Sequence, residues 1–182
     1  MHDYIAFLRG MNLGNRRIKM DELRRHFETL KFKNVTTFIA SGNVLFSSPS
    51  ADEVKLVAKI EAELARVLEY RVDTFIRSRA AITAIATSEP FAREELSRPG
   101  NTIHVGFLRE PLSAAQSKAL VACRTDADEF VVSGREFFWL CRIKTHESKV
   151  WTTAQMKAVR MPTCTQRNLT TIRKIAALYP SG

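Results

Sequence analysis

The sequence predicts an α+β protein of two ferredoxin-like (βαββαβ) halves, with antiparallel sheets and a C-terminal helical segment. Apolar residues recur with strand and helix periods in the order strand, helix, strand, strand, helix, strand, which is the order of this fold. Two short sequences also repeat: Phe7-Leu8-Arg9 returns as Phe107-Leu108-Arg109, and Ser41-Gly42 returns as Ser133-Gly134. Each repeat falls at the same step of the element order, which indicates a duplication.

The first half opens with a predicted buried strand at residues 4–8, where an apolar run ends at Arg9-Gly10. A loop containing Gly and Asn follows, and apolar residues spaced by three and four from Met20 to Leu30 predict an amphipathic helix. β-rich runs at 35–40 and 44–46 flank a short Ser-Gly-Asn connection. Because Gly and Asn tolerate positive φ, this connection predicts a hairpin.

A helix and a strand complete the first half. Ser50 and Glu53 fit a capping box, in which the serine accepts a bond from a first-turn amide and the glutamate reaches back. The helix that they open has one apolar stripe from Val54 to Val67, and a strand is predicted at 70–76. A further short helix is expected near residues 80–86.

A segment rich in Pro, Gly and charge, residues 89–100, is the predicted linker, which divides the chain into domains 1–88 and 101–182. The second half then repeats the pattern of the first. Its predicted elements are a strand at 102–108, a helix opened by a capping box at Ser113 and Gln116, strands at 129–132 and 137–141, and helices at 148–159 and 166–178.

The composition is that of an ordinary globular protein of 182 residues, 45% hydrophobic and 26% charged. Apolar runs are strand-sized, far below the ~20 residues that a membrane span requires. The N-terminus has no basic region followed by an apolar one, so we expect a cytoplasmic protein without membrane contact. The three cysteines, Cys123, Cys141 and Cys164, form no C-x-x-C pair. We therefore expect free thiols, with no metal and no cofactor.

Positive charge is concentrated towards the two ends of the chain. The sequence has 28 Lys and Arg against 19 Asp and Glu, a formal net charge of +9. From Arg142 to Lys174 there are eight basic residues and one acidic residue, Glu147. If both ends fold onto one face, the field of that face attracts phosphates. The alternative is an ordinary solvated basic surface.

The loop from Arg9 to Lys19 is the strongest candidate for a binding site. It follows a strand, contains Gly10 and Gly14, carries four cationic side chains and leads into a helix. Backbone amides in such a loop can surround an anion, assisted by the helix dipole and the flanking cations. The loop lacks Gly-Lys-Ser/Thr and G-x-G-x-x-G, so it is neither a Walker loop nor a dinucleotide loop. The alternative is a structural connection whose glycines serve its turn.

Several blocks of the sequence resemble one protein family. The run Tyr4-Ile5-Ala6-Phe7-Leu8-Arg9-Gly10-x-Asn12-x-Gly14 closely resembles the opening of a bacterial family catalogued as domain of unknown function 1697. The resemblance continues in Lys19-Met20-x-x-Leu23, Val35-x-Thr37-Phe38-Ile39-x-Ser41-Gly42-Asn43-Val44-x-Phe46, Pro90-Phe91, Ser148-Lys149 and Arg167-Asn168-Leu169-Thr170-Thr171. It implies a bacterial protein with an α+β fold of two related halves, and it implies no activity.

The resemblance also implies a set of polar motif positions. They map to Arg9, Asn12, Ser41, Asn43, Lys149, Arg167, Asn168 and Thr171. These are donors and small amides without a carboxylate or histidine, which suits an anionic or carbonyl-bearing ligand better than acid–base catalysis. Alternatively, such residues fix loops by bonding to the backbone. Leu169 and Thr170 depart from the family's Arg-Asn-Trp-Asn-Thr, which weakens a site role for this last motif.

Two main functions remain open, and the sequence predicts no catalytic residue. The preferred function is that of a binding protein for a phosphate-bearing ligand, a nucleotide or nucleic acid, through the basic Gly/Asn loop. Its predicted ligand-binding residues are Arg9, Asn12, Gly14, Ser41, Asn43, Lys149, Arg167 and Asn168. The alternative is a small-molecule enzyme with a polar cleft between the halves, lined by Asn12, Asn43 and Arg167. A protein-interaction role also fits the sequence, which leaves the oligomeric state open.

Overall fold

The computed structural model describes residues 1–11, 18–39 and 42–179. The chain divides into two compact units. Unit 1 comprises residues 1–84 together with the C-terminal residues from Leu178, and unit 2 comprises residues 85–177. None of the helices in the described part of the chain is long and apolar enough to cross a membrane.

Unit 1 is built on a four-stranded antiparallel sheet, here called sheet 1. Its elements are β1 (His2–Leu8), α1 (Met20–Thr29), β2 (Lys33–Phe38), β3 (Asn43–Ser48), α2 (Glu53–Leu68) and β4 (Thr74–Ser78), after which α3 (Arg79–Thr87) crosses into unit 2. The strand order is β2-β3-β1-β4. The inner strand β1 contains the apolar run that the sequence predicts as buried, and the inner strand β3 contains the β-rich run at 44–46.

The core of unit 1 lies between sheet 1 and the apolar stripes of α1 and α2. Leu23 and Phe27 of α1 and Ile60 of α2 are buried in one cluster with the sheet. Phe27 and Phe32 pack around Phe46 of β3, and their ring centroids lie 5.7 and 4.5 Å from its own. Burial of each such large apolar side chain contributes about 1.5–3 kcal/mol to stability.

The start of α2 differs from its prediction. Asp52, rather than Ser50, is the N-cap residue, because its Oδ1 accepts a hydrogen bond from the Lys55 amide at 3.0 Å. Ser50 Oγ instead accepts from the Asp52 amide at 3.2 Å. Asp caps a helix as well as Ser does, so two neighbouring candidates compete and the sequence does not choose between them. The strand after α2 also begins later than predicted, at Thr74.

Unit 2 repeats this layout on a second four-stranded sheet, sheet 2. Its elements are α4 (Arg93–Ser97), β5 (Thr102–Phe107), α5 (Ala114–Ala122), β6 (Asp128–Ser133), β7 (Glu136–Cys141), a 3₁₀ turn (Val150–Thr152), α6 (Ala154–Val159), β8 (Thr165–Asn168) and α7 (Leu169–Ala177). The strand order β6-β7-β5-β8 corresponds strand for strand to that of sheet 1. The predicted fold class, α+β with duplicated antiparallel halves and a C-terminal helix, is confirmed. The predicted linker 89–100 contains α4, and its limits stay a prediction.

The strand β8 contradicts the predicted helix at 166–178. Its residues pair with β5, and α7 begins only at Leu169. The four residues of β8, Thr-Gln-Arg-Asn, show no apolar alternation, and it is the pairing with β5 that holds them extended. The predicted helix at 148–159 is also interrupted, because Thr153 Oγ1 caps α6 by accepting from the Met156 amide at 3.1 Å. The predicted capping box that opens α5 is present.

The pairing of the inner strands makes the two halves comparable residue by residue. Phe7 of β1 lies opposite Asn43 of β3, and Phe107 of β5 lies opposite Glu136 of β7. The repeated tripeptide aligns Phe7 with Phe107, so Asn43 is equivalent to Glu136. Positions along these strands can then be matched by counting from these residues.

The same comparison shows that the Ser-Gly repeat is displaced. The Leu8 amide donates to the Gly42 carbonyl at 2.8 Å, and the Leu108 amide donates to the Arg135 carbonyl at 2.9 Å. Gly42 is therefore equivalent to Arg135 and not to Gly134. Both glycines have positive φ, 70° and 58°, so each serves its own turn although the two are offset by one residue.

Candidate functional site

One end of sheet 1 brings together the strand ends next to the predicted binding loop. Arg9 directly follows β1 and Asn43 opens β3, and these strands are antiparallel neighbours. The Arg9 amide donates to the carbonyl of Asp73, just before β4, at 2.9 Å. Two predicted ligand-binding residues therefore lie at the same end of the sheet. Three others, Asn12, Gly14 and Ser41, lie outside the described residues.

Two arginines converge on one carboxylate at this end of the sheet. Arg9 Nη1 lies 3.6 Å from Asp73 Oδ2, and Arg71 Nε lies 3.0 Å from Asp73 Oδ1. The arginine side chains are 54% and 76% exposed, whereas that of Asp73 is 15% exposed. The cluster has more positive than negative charge and presents its cations to solvent. Arg71 is not among the ligand-binding residues predicted from the sequence, because it falls within the strand predicted at 70–76.

The N-terminus of α1 contributes less to this site than the sequence predicts. Its N-cap residue, Lys19, makes no side-chain capping bond, but Asp21 and Glu22 occupy the first turn. Carboxylates there already interact with the positive end of the helix dipole. An anion at this end of sheet 1 would therefore be held by arginine side chains rather than by the helix.

The two predicted amide ligands that the structure describes both bond to the backbone. Asn43 is fully buried, and its Nδ2 donates to the Phe38 carbonyl at 3.0 Å across the hairpin. Asn168 Oδ1 accepts from the Thr170 amide at 2.8 Å, at the start of α7. These bonds agree with the loop-fixing alternative of the sequence analysis. A ligand-binding role for either amide stays a prediction.

The two predicted cationic ligands of unit 2 differ in exposure. Lys149 is exposed, and its carbonyl accepts from the Thr152 amide at 2.9 Å in the 3₁₀ turn. Arg167 lies on β8, and its Nη1 donates to Thr165 Oγ1 and to the Gln166 carbonyl, each at 2.8 Å. Burial lowers the pKa of Arg167 to about 10, so the guanidinium remains charged at neutral pH.

The helices of unit 2 form a second candidate surface. α5 and α6 run antiparallel: Gln116 Nε2 donates to the Arg160 carbonyl at 3.0 Å, and Gln155 Nε2 donates to the Ala122 carbonyl at 2.8 Å. We call α5, α6, the 3₁₀ turn that precedes α6, and the residues at the ends of these elements the basic layer. Its exposed cationic residues are Lys118, Arg124, Lys149, Lys157 and Arg160.

The basic layer is free of carboxylates. The chain has no Asp or Glu at residues 111–125 or 148–179. Within the described residues, the five cations of the layer form no ion pair. The exposed residues between them include Ala114, Ala115, Ala122, Ala154 and Ala158, whose short side chains leave the cations projecting from the helices. Sequence reasoning found the excess of charge but could not show that α5 and α6 bring Lys118 beside the later cations.

Two of the cysteines are in surroundings that disfavour the reactive thiolate. Cys123 and Cys141 are buried, and burial raises the pKa of both thiols. His104 stacks on Trp139 with ring centroids 4.7 Å apart, and burial lowers the pKa of the imidazole. In the same part of the chain, no group of three or more His, Cys, Asp or Glu could hold a metal ion.

One carboxylate of the acidic run that begins at Asp126 belongs to the interior of unit 2. Its second aspartate, Asp128, is buried and accepts hydrogen bonds from Trp139 Nε1 at 2.9 Å and from Ser148 Oγ at 2.7 Å. Thr125 Oγ1 also donates to it, at 2.8 Å. Ser148, half of the late Ser-Lys pair, thus anchors the segment that places Lys149 on the surface.

Comparisons with other proteins identify the fold and a family but no activity. The family model described as "Protein of unknown function (DUF1697)" matches residues 1–138, which confirms the resemblance seen in the sequence. The structure of conserved bacterial protein SP0830 from Streptococcus pneumoniae matches with a TM-score of 0.74 at 24% identity, over 98% of each chain. At that identity the match shows the fold alone. No curated protein matches the chain significantly.

Proposed function

Because the chain belongs to the family described as Protein of unknown function (DUF1697), we propose a function from the chain's own surface. The proposed function is that of a binding protein for phosphate-bearing partners. In this function the basic layer of unit 2 contacts the backbone of a nucleic acid. One observation carries this proposal: a helical surface that has five exposed cations and no carboxylate.

Electrostatics favours a polyanion on this surface. Each Lys or Arg that neutralises a phosphate releases condensed counterions, which is a large part of the affinity of proteins for nucleic acids. The acidic residues nearest to the layer in sequence are Asp126 and Glu147. Glu147 already lies 3.9 Å from Lys144, so it opposes the field of the layer little.

The shape of the layer favours an extended partner over a single nucleotide. The exposed alanines of α5 and α6 make a shallow surface, with one cation on each helix and three more at the ends of the layer. Small ligands need concave sites that bury most of their surface, whereas a nucleic acid offers phosphates at regular intervals to a flat surface. We therefore assign the nucleic-acid backbone, rather than base edges, to the basic layer.

Fluorescence anisotropy with labelled 20-base-pair DNA and RNA duplexes, at two salt concentrations, tests this function. We expect the double variant Lys157→Glu/Arg160→Glu to weaken binding at least tenfold. The control is Arg24→Glu/Arg25→Glu, which makes the same change of charge on the exposed side of α1 in unit 1. If both variants lose affinity equally, net charge rather than the basic layer accounts for binding, and the assignment is wrong.

The loop at the end of sheet 1 is proposed as a second phosphate-binding site of the same protein, for a smaller ligand. Its residues are those of the sequence analysis, Arg9, Asn12, Gly14, Ser41 and Asn43, with Arg71 added. The convergence of two exposed guanidinium groups on Asp73 supports this site, since both groups are positioned before a ligand arrives. Arg9→Ala should weaken binding of a nucleotide, and Lys149→Ala should weaken binding of a duplex.

A further inference from the structure

A cleft of about 410 Å³ lies on the face of sheet 1 that points away from α1 and α2. It belongs entirely to unit 1. Its polar lining consists of Asp3, Asn34, Thr36 and Ser47 from the three strands β1, β2 and β3, and Leu178 and Tyr179 add a wall. The volume is within the ~300–1,000 Å³ of small-molecule sites.

A hydrogen-bonded chain of side chains forms the floor of the cleft. Asp3 and Ser47 lie opposite each other in the sheet, and Ser47 Oγ donates to Asp3 Oδ1 at 2.6 Å. Asn34 Nδ2 donates to Ser47 Oγ at 3.1 Å. Among the described residues, no Lys or Arg forms an ion pair with Asp3. The floor therefore presents a negative charge that forms no ion pair within the described part of the chain.

Tyr179 stands beside this carboxylate. Its ring lies below the guanidinium of Arg79, 5.2 Å from centroid to Cζ, and its hydroxyl donates to the Tyr4 carbonyl at 3.5 Å. Burial, together with the negative charge of Asp3, raises the pKa of Tyr179 to about 12. The hydroxyl thus stays protonated at neutral pH, and among the residues that the structure describes Asp3 is the only charged one that lines the cleft.

The second half of the protein shows that folding does not require this polar floor. Counting along the equivalent strands, Asp3 and Ser47 correspond to Ile103 and Leu140, which also lie opposite each other. Both are buried, at 8% and 0% exposure. Sheet 2 therefore has an apolar pair at these two positions. In sheet 1, burial of a hydroxyl beside a carboxylate carries a desolvation cost. The polar pair needs a reason other than packing.

We propose that the cleft binds a small organic cation, a primary amine with an apolar group, whose ammonium contacts Asp3. The carboxylate offers the charge, and Thr36 adds a hydroxyl acceptor. The apolar side chains of Leu45 and Leu178 line the same cleft and suit the carbon part of such a ligand. This site is independent of the phosphate-binding function, because it has the opposite charge and uses none of the same residues.

Isothermal titration of the full chain with 2-phenylethylamine, and with 2-phenylethanol as its uncharged counterpart, tests the proposal. We expect saturable binding of the amine in the millimolar range or tighter, and at least tenfold weaker binding of the alcohol. Asp3→Asn should lose at least tenfold in amine affinity, while Asp21→Asn, on the exposed surface of α1, should bind as the wild type does. Equal affinity for amine and alcohol, or unchanged binding by Asp3→Asn, would overturn the proposal.

A second variant copies the other half of the protein. Asp3→Ile/Ser47→Leu gives sheet 1 the apolar pair of sheet 2, and we expect it to fold, with a melting temperature equal to or above that of the wild type, and not to bind the amine. Retained amine binding by this folded variant would also overturn the proposal. Lys157→Glu/Arg160→Glu should bind the amine normally, so failure of the nucleic-acid proposal and failure of this one are distinguishable.

Discussion

Arg77 of β4 and Arg167 of β8 occupy equivalent positions in the two sheets. Arg77 pairs with Ile5 and Arg167 pairs with Val105, which are themselves equivalent. Each arginine donates Nη1 to the carbonyl oxygen of the residue before it, at 2.8 Å in both cases. Arg77 is buried and Arg167 is half-buried, and a guanidinium taken from water needs partners for its donors. The presence of the same bond at equivalent positions supports a common origin of the two sheets.

The two sheets also differ at one pair of facing positions, where a smaller side chain on one strand is matched by a larger side chain on its neighbour. Gly106 lies opposite Phe137 in sheet 2, whereas the equivalent Ala6 lies opposite Val44 in sheet 1. A Cβ at position 106 would overlap the Phe137 ring. The small residue and the large residue therefore belong together, and sheet 1 fills the same space with two residues of intermediate size.

Gly106→Ala should destabilise the protein by about 1–3 kcal/mol, because overpacking moves the Phe137 ring from its place. The double variant Gly106→Ala/Phe137→Val, which copies the pair of sheet 1, should recover part of this loss, with a coupling energy of about 0.5–3 kcal/mol. Urea denaturation of the wild type, the two single variants and the double variant measures it. Additive effects would contradict the packing argument.

The inner strands and amphipathic helices could be predicted from the sequence, and the edge strand β8 could not. β1 and α2 carry their own signals, an apolar run and an apolar stripe. β8 has the sequence Thr165-Gln166-Arg167-Asn168, whose extended form depends on pairing with β5, a contact about sixty residues away in the chain. Local pattern therefore assigns its residues to the helix that follows.

The candidate site was predictable only in part, for a similar reason. Arg9 and Lys149 could be named because they stand in conspicuous sequence blocks. Arg71 could not, since only the fold brings it and its neighbour Asp73 to the end of β1 where Arg9 lies. Asp3 gave no signal either: one acidic residue near the start of an apolar strand is unremarkable until its partner across the sheet, Ser47, is known.

The cluster of His26, Glu63 and Arg66 predicts a pH dependence of stability. Arg66 donates to both oxygens of Glu63, at 3.0 and 2.8 Å, and His26 Nδ1 lies 3.1 Å from the same carboxylate. Hydrogen bonds from Arg66, followed by those from His26, lower the pKa of Glu63 against the opposing effect of burial. The folded pKa is below the unfolded one, so the contribution is present above the unfolded value and is lost as pH falls through the folded value.

Glu63→Gln should therefore melt at a lower temperature than the wild type at pH 7, and the difference should shrink as the pH falls from 7 towards 3. Circular dichroism melts of both proteins across this range provide the measurement. Asp21→Asn, which removes an exposed carboxylate from the other helix, α1, is the control for a general effect of charge. A difference that stays constant down to pH 3 would show that the glutamine disturbs packing rather than an ion pair.

The number of phosphates that the basic layer contacts can be read from the salt dependence of binding. The slope of log affinity against log salt is about −0.9 for each phosphate neutralised on duplex DNA. Lys157→Ala/Arg160→Ala should reduce the slope by about 2, because two contacts are removed. The weakening should also be similar for duplexes of different sequence, since backbone contacts carry no sequence information. An unchanged slope would place these two residues outside the interface.

Asp73 should oppose phosphate binding at the end of sheet 1, although it positions both arginines. An incoming anion competes with its carboxylate for Arg9 and Arg71, so Asp73→Asn should raise the affinity for inorganic pyrophosphate or AMP several-fold at low salt. Arg9→Ala/Arg71→Ala should abolish that binding, and Arg24→Ala/Arg25→Ala, which removes two arginines of α1, should leave it unchanged. Titration calorimetry at 20 and 200 mM salt distinguishes these outcomes. Weaker binding by Asp73→Asn would show that the carboxylate holds the arginines in their binding positions, and that the site depends on the ion pairs rather than competing with them.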